Sequence, residues 1–368
     1  MQALMLRNID SISKYLEGSN PIVNRAIGGV FALEGQASQG QAKPPVGPSI
    51  LKRWSTSAAA VYCFHNARSC LHYTLTDLKI RRLWLPAYLC PEILQSTRSA
   101  SVTVLYYPVT ASLSPDIEKL SKKLQPDDVI LTINFFGRAP SVTWLDFIAT
   151  KPDILWIEDC AQVIDSDPIF TSDIRIYSPR KILGVPDGGI LIDRKKRLRK
   201  PALSPLNDDY FMLPYQMRAN DKEDKKNQAW FKAFQKSERS QKVSMAKMSG
   251  FSNEILNHIP MQPLASARRE NYAILLDSLK EWAFFLDVPD EWIPFCFPIT
   301  SDKAGQLCAE LSRNRIFPPR YWLDLPSPKA RFPIEHDLSR RLVGLPCDQR
   351  YDSNDMERMI SLVHKFYP

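Results

Sequence analysis

Residues 153–193 read DILWIEDCAQVIDSDPIFTSDIRIYSPRKILGVPDGGILID. Three apolar runs stand out: DILWIED (153–159), SDIRIYS (172–178) and GGILID (188–193). Each is of strand length, and their β-branched content separates them from pieces of buried helix. The first ends on a carboxylate, Asp159; the second runs into the turn Ser178-Pro179-Arg180-Lys181. Gly188 and Gly189 then allow a tight return into the third run, where side chains would clash. In open α/β sheets ligands bind beyond the carboxyl ends of strands, so Asp159, Ser178 and Lys181 are the first residues to inspect.

Working outward, RRLWLP (81–86), SVTVLYYP (101–108) and DVILTINFF (128–136) read as further strands. Helical segments fall between strands at Ala67–Leu78, Pro91–Arg98, Pro115–Leu124 and Ser141–Thr150, with Pro91 and Pro115 placed at first turns. Asn134, near the end of its strand, joins the strand-end polar groups. Alternating strands and helices predict an α/β fold with a mainly parallel, mixed sheet flanked by helices. Residues 1–50, rich in Gly, Ser, Gln and Pro toward their end, read as an N-terminal arm; 51–250 form the large domain and 251–368 a smaller α+β C-terminal domain.

Composition narrows the function. The 368 residues are 44% hydrophobic and carry no apolar run near the roughly 20 residues needed to span a bilayer, which predicts a cytoplasmic protein with no membrane partner. Seven scattered cysteines form no Cys-x-x-Cys pair, and the five histidines no helical pair, arguing for a reducing compartment and against a metal site. A net charge of +8 raises the question of nucleic acid. However, the basic stretch 222–247 interleaves Asp224 and Glu238 at helical spacing and reads as a solvated helix face, so no nucleic-acid partner is expected. A basic surface also suits small anionic substrates.

The strand-end residues fit an organic cofactor. Pyridoxal phosphate needs a lysine amine for a Schiff base, a carboxylate to keep its ring nitrogen protonated, and a cradle for its phosphate. Lys181 offers the amine and a proton-moving base, and Asp159 the carboxylate. Ala67 and Arg68 open a helix whose free amides and positive dipole end attract anions, and Ser178 adds a hydroxyl.

At this point the chain resembles the DegT/StrS-type aminotransferases, the sugar aminotransferase branch of the fold-type I pyridoxal-phosphate enzymes. The resemblance runs through GGVFALE (28–34), NARSCL (66–71), LPAYLC (85–90), NFFG (134–137), IEDCAQ (157–162), SPRK (178–181), PDGGIL (186–191), ARRENY (267–272) and LPCD (345–348). It implies that Lys181 is the Schiff-base residue, that Asp159 binds the ring nitrogen and that Gln162 lies near the cofactor's phenolic oxygen. It further implies a homodimer with shared active sites, transferring an amino group from a donor such as glutamate to a keto-sugar nucleotide or related intermediate. The chain departs from the pattern in three places. Asn66-Ala67 replaces Ser-Gly, and Cys90 stands where an aromatic stacks, with Tyr88 as the nearest substitute. Ser252 or Asn253 in GFSNEIL replaces an Asn-x-Arg-Met signature. Another pyridoxal-phosphate reaction, or a non-catalytic binding protein on the same fold, remains as an alternative.

Overall fold

The computed structural model describes residues 25–34, 48–55, 59–98, 100–164, 171–206, 209–220 and 229–367. Most of the expected N-terminal arm lies outside them. In chain order the elements are β1 (Ile27–Gly28), α1 (Ile50–Trp54), β2 (Ala60–Phe64), α2 (Ala67–Asp77), β3 (Arg82–Pro86), β4 (Thr103–Tyr107), α3 (Ile117–Ser121), β5 (Val129–Ile133), α4 (Val142–Ala149), β6 (Leu155–Asp159), β7 (Ile174–Tyr177) and β8 (Gly189–Asp193). There follow α5 (Leu213–Ala219), α6 (Ala229–Ser240), α7 (Gly250–His258), α8 (Met261–Leu279), β9 (Phe297–Thr300), α9 (Ala304–Arg313), β10 (Ile316–Phe317), α10 (Pro333–Arg341), β11 (Leu342–Leu345) and α11 (Ser353–Phe366).

The main sheet has the order β2-β8-β7-β6-β5-β3-β4. Strands β3 to β7 pair in parallel, while β8 runs antiparallel to both β7 and β2. All six strands expected from the apolar runs are present, and the fold is the predicted α/β class. Edge strand β2 completes the sheet. Pro115 corrects a sequence expectation: the helix starts later, with Asp116 as its cap accepting from the Lys119 amide, while Pro115 bridges back to Val109.

The pleat divides the sheet's side chains between two layers. On one face Leu155 and Ile157 join Leu131, Ile174, Ile176 and Leu191 beneath Cys70, Leu71 and Leu75 of α2. On the other, Trp84, Ile130 and Trp156 belong to a core that continues into Leu275, Phe297, Leu307, Val343 and Met359 of the C-terminal elements. Along β6, Asp159 therefore shares the α2 face with Ile157, and Glu158 shares the opposite face with Trp156.

The start of α2 is clamped to the sheet through the glycine pair. The Gly188 amide donates to the His65 carbonyl at 2.7 Å, and Asn66 bridges Gly188. A Cβ on Gly189 would lie 2.3 Å from the Asn66 carbonyl carbon and 2.5 Å from the Ala67 nitrogen. Backbone on both sides cannot yield cheaply, so Gly189→Ala should cost about 1–3 kcal/mol of stability by displacing the opening of α2. Urea unfolding measures this, and an unchanged midpoint would show that the contact is slack.

Candidate active site

Asp159 closes β6, and Lys181 closes the short 3-10 turn Pro179–Lys181 after the neighbouring strand β7. The turn is held by the Lys181 amide donating to the Ser178 carbonyl at 3.1 Å and by the Leu183 amide donating to the Pro179 carbonyl at 3.0 Å. One Asp159 oxygen accepts from the Ala161 amide at 2.9 Å. Burial pushes the Asp159 carboxyl above its usual range, opposed by the Lys181 ammonium and that amide. Burial likewise raises the Cys90 thiol against the pull of Lys181. Lys181, Asp159 and Cys90 thus share one corner of the fold and feel each other's charge.

Beside that corner is a cluster of guanidinium groups. Asn66 caps α2 by accepting from the Ser69 amide at 2.9 Å, which places Ala67 and Arg68 at the helix opening. Arg68 donates through Nη1 to Glu92 at 3.1 Å and to Gln95 at 3.3 Å, while its Nη2 is buried without a partner. Arg180 grips Glu238 of α6 with both terminal nitrogens, and its Nε is also buried and unpartnered. Burial and the nearby Arg180 depress the pKa of Arg68. Two buried guanidinium donors without acceptors, near the positive end of an 11-residue helix, are what an absent phosphate would leave behind. The residues therefore fit the phosphate end of the coenzyme as well as its ring.

Lys181, Cys90 and Gln162 line a cleft of about 640 Å³ whose walls also include Phe31, Trp230, Phe234, Phe295, Phe317, Tyr321 and Trp322. The aromatic walls come from four stretches: the segment after β1, helix α6, the approach to β9, and β10 with the turn after it.

No family model and no curated protein sequence matches the chain. Solved structures do match. DesV from S. venezuelae aligns at a TM-score of 0.62 with 14% identity, covering 83% of this chain and 84% of that one. A DegT/DnrJ/EryC1/StrS aminotransferase from Brucella abortus aligns at 0.61 with 16% identity, covering 83% and 85%. NtdA from Bacillus subtilis, solved with the cofactor PMP bound, aligns at 0.59 with 14% identity, covering 84% and 73%. The chain has the fold of the DegT/StrS-type aminotransferases.

Within this fold, Ala67, Arg68, Asp159, Gln162, Ser178 and Lys181 lie around the same strand ends. Gln162 accepts from the Phe136 amide at 2.6 Å and lines the cleft. Two expected contact residues are placed elsewhere. Asn134 donates to Glu158 at 3.2 Å and lines a separate cavity on the opposite face of the sheet, together with Arg175 and Tyr177. The parity of the pleat sends it there. Tyr88 is fully buried, donates its hydroxyl to the Tyr321 carbonyl and packs on Phe135 and Trp322, while Cys90 lines the cleft. Ser252 also serves structure, donating to Asp187 beside the glycine pair.

Sequence reading assigned no role to Arg180 or Arg268 and took Glu238 for part of a solvated face. In the fold, α6 buries Trp230 and Ser237 and aims Glu238 at Arg180. The detectable signal was slight: Trp230 and Phe234, one apolar i, i+4 pair within the charged run.

Burial alone would raise the Glu238 carboxyl, yet Arg180, Arg68 and Lys181 together hold it below its usual range. A depressed folded pKa contributes stability that is complete above the ordinary glutamate value of roughly 4.3 and is lost as pH falls through the lower folded value. Glu238→Gln should therefore lower the urea midpoint at neutral pH and flatten its decline between about pH 5 and 3. Identical acid profiles for parent and variant would show that the pair adds nothing.

Proposed function

We propose that this chain is a pyridoxal-phosphate-dependent aminotransferase that moves an amino group from an amino acid to the carbonyl of a sugar-type biosynthetic intermediate. One observation carries the reading: Lys181 and Asp159 stand at adjacent strand ends beside the buried, acceptor-less donors of Arg68 and Arg180. The sugar aminotransferases that share the fold support it.

When bound, the coenzyme supplies an electron-withdrawing ring that takes up the electrons of a C–H bond broken next to the transferred nitrogen. The chain supplies the rest. Lys181 Nζ would tether the coenzyme between turnovers and, once free, would take up and return the proton at the substrate carbon. Asp159, held by the Ala161 amide, would pair with the ring nitrogen and favour that nitrogen's protonated form. The Ala67 amide, the Arg68 guanidinium and the Ser178 hydroxyl would hold the phosphate, and the Gln162 side chain would serve the phenolic oxygen. We further read the protein as a homodimer in which a second copy completes each site. Its seven free cysteines suit a reducing cytoplasm, and no described helix is long and apolar enough to cross a membrane.

Two measurements test this. Borohydride treatment of the coenzyme-loaded protein should fix the coenzyme on the peptide containing Lys181, and Lys181→Ala should leave no adduct; an adduct on another lysine, or none, would overturn the assignment. Asp159→Asn removes a carboxylate whose ionised form is penalised by burial, so the variant should melt at a higher temperature than the parent without coenzyme. With coenzyme it should lose the donor-driven colour change by roughly 100-fold or more, because the ring nitrogen has lost its counter-ion. Full activity of Asp159→Asn would place the ring elsewhere.

A further inference from the structure

A cavity of about 960 Å³, larger than the lysine cleft, lies on the opposite face of the sheet. Thr132 of β5, Glu158 of β6 and Arg175 and Tyr177 of β7 line it, because the pleat turns alternate residues of these strands away from α2. Gln262, Ala265 and Arg269 border it from one face of α8, at i, i+3 and i+7. Val142 also lines it and is 71% exposed, so the cavity opens to the surface.

Elsewhere this face of the sheet is apolar and packs on the C-terminal elements. Here it carries a buried ion pair and two buried donors with nothing to bond. Glu158 is satisfied by Arg175 at 2.7 Å, by Asn134 at 3.2 Å and by Ser172. The Tyr177 hydroxyl and the Trp144 indole nitrogen, on residues 0% and 1% exposed, make no hydrogen bond among the described residues, and both residues line the cavity. Burial pushes the Tyr177 hydroxyl well above its ordinary pKa, and Arg175 beside it pulls the other way. A guanidinium only donates, however, and cannot accept the hydroxyl proton. The fold can satisfy a buried indole nearby, since Trp156 donates to Thr132 at 2.7 Å. Two unmet donors on a cavity wall leave a place for acceptor atoms from outside the chain.

Rings and charge define the rest of the lining. Phe285 and Trp292 stand edge to face with centroids 5.8 Å apart, and Tyr107 and Phe135 add ring surface. Four arginines, Arg53, Arg138, Arg175 and Arg269, share the lining with three carboxylates, Glu158, Asp287 and Glu291, an excess of one positive charge. Arg175 is paired with Glu158 and Arg138 with Asp287. Arg269 instead donates to two backbone carbonyls, of Trp292 at 3.1 Å and Asp290 at 2.6 Å, and pairs with no carboxylate among the described residues. An uncharged ring would leave that excess uncompensated, and a dianion would exceed it.

We propose that this cavity is a second ligand site, distinct from the lysine cleft, and that it takes a flat aromatic ring bearing one carboxylate and one ring oxygen. Arg269 receives the carboxylate, the aromatic walls receive the ring, and the Tyr177 and Trp144 donors meet the oxygen. The site is independent of the reaction proposed above, so it stands or falls apart from the borohydride result.

Calorimetry on the coenzyme-loaded full chain tests the site with 4-hydroxycinnamate, which carries ring, carboxylate and ring oxygen. Its dissociation constant should lie below about 1 mM, and both cinnamate, without the ring oxygen, and p-cresol, without the carboxylate, should bind at least about fivefold more weakly. Tyr177→Phe should weaken 4-hydroxycinnamate roughly 3- to 10-fold and leave cinnamate unchanged. The melting temperature of the unliganded protein should not fall in that variant, because only an unmet donor is removed. Arg269→Gln should weaken both acids by roughly tenfold and leave p-cresol unchanged. Lys181→Ala should leave every one of these constants as in the parent. A cavity that holds only water would give no binding of 4-hydroxycinnamate, and that result overturns the proposal. Equal weakening of both acids by Tyr177→Phe overturns it too, as does loss of binding in Lys181→Ala, which would place the ligand in the cleft.

Discussion

A pleated strand sends successive side chains to opposite faces, and in β6 this separates two neighbouring carboxylates. Glu158 turns into the far layer, where Arg175 meets it at 2.7 Å and the Asn134 amide and Ser172 hydroxyl complete its shell. Asp159 turns to the α2 side with the helix opening and the lysine turn. The first carboxylate is neutralised within the fold. The second has one backbone amide and the field of Lys181. A one-residue slip in the register of β6 would exchange the two, putting the structural ion pair in the cleft and the free carboxylate in the core. The parallel pairing of Ile133 with Asp159 and of Asp159 with Ile176 holds the register on both sides.

Around that strand, the C-terminal elements share an apolar core with the sheet. Ile27 of β1, Trp156 of the sheet and Met359 of α11 belong to one apolar cluster. Arg25 reaches Asp352 and Asp355 at the start of α11, and Tyr351 accepts from the Gly28 amide at 2.6 Å. The segment before the sheet is thereby fastened to the last helix; that segment brings Phe31 to the cleft, and the loop before the helix brings Arg350. The Gln349 bridge works in the same way, joining the loop after β11 to the lysine turn across 167 residues of sequence.

What the sequence disclosed follows from how local each signal was. Six strands were legible because each is a short apolar run between turn-forming residues, and a helix opening at Ala67 follows from its local context. β2 was harder: its first four residues are only partly buried at the sheet edge, so AVYCF has little of the continuous apolar character of β5 or β6. The two-residue strands β1 and β10 exist only through their mutual pairing. Strand-end logic found Asp159 and Lys181 but could not choose the face of Asn134, because parity depends on where a strand starts its pairing. Arg180 with Glu238, and Arg268 with Gln349, are contacts across 58 and 81 residues, for which one sequence carries no periodic trace.

The same long-range contacts explain why the cleft carries a concentration of charge that folding alone would not favour. Burial and Arg180 depress Arg68, one nitrogen of each stays buried without an acceptor, and Arg268 is held by neutral groups. Each missing partner costs on the order of 1–3 kcal/mol in a buried setting, so the arrangement persists against stability. Burial also raises Asp159, adding a penalised anion a short distance away. A binding partner that brings a phosphate to Arg68 and Arg180 and a cationic ring nitrogen to Asp159 would relieve these together. On the reading proposed above, the ligand's own charges would relieve frustration distributed in that pattern.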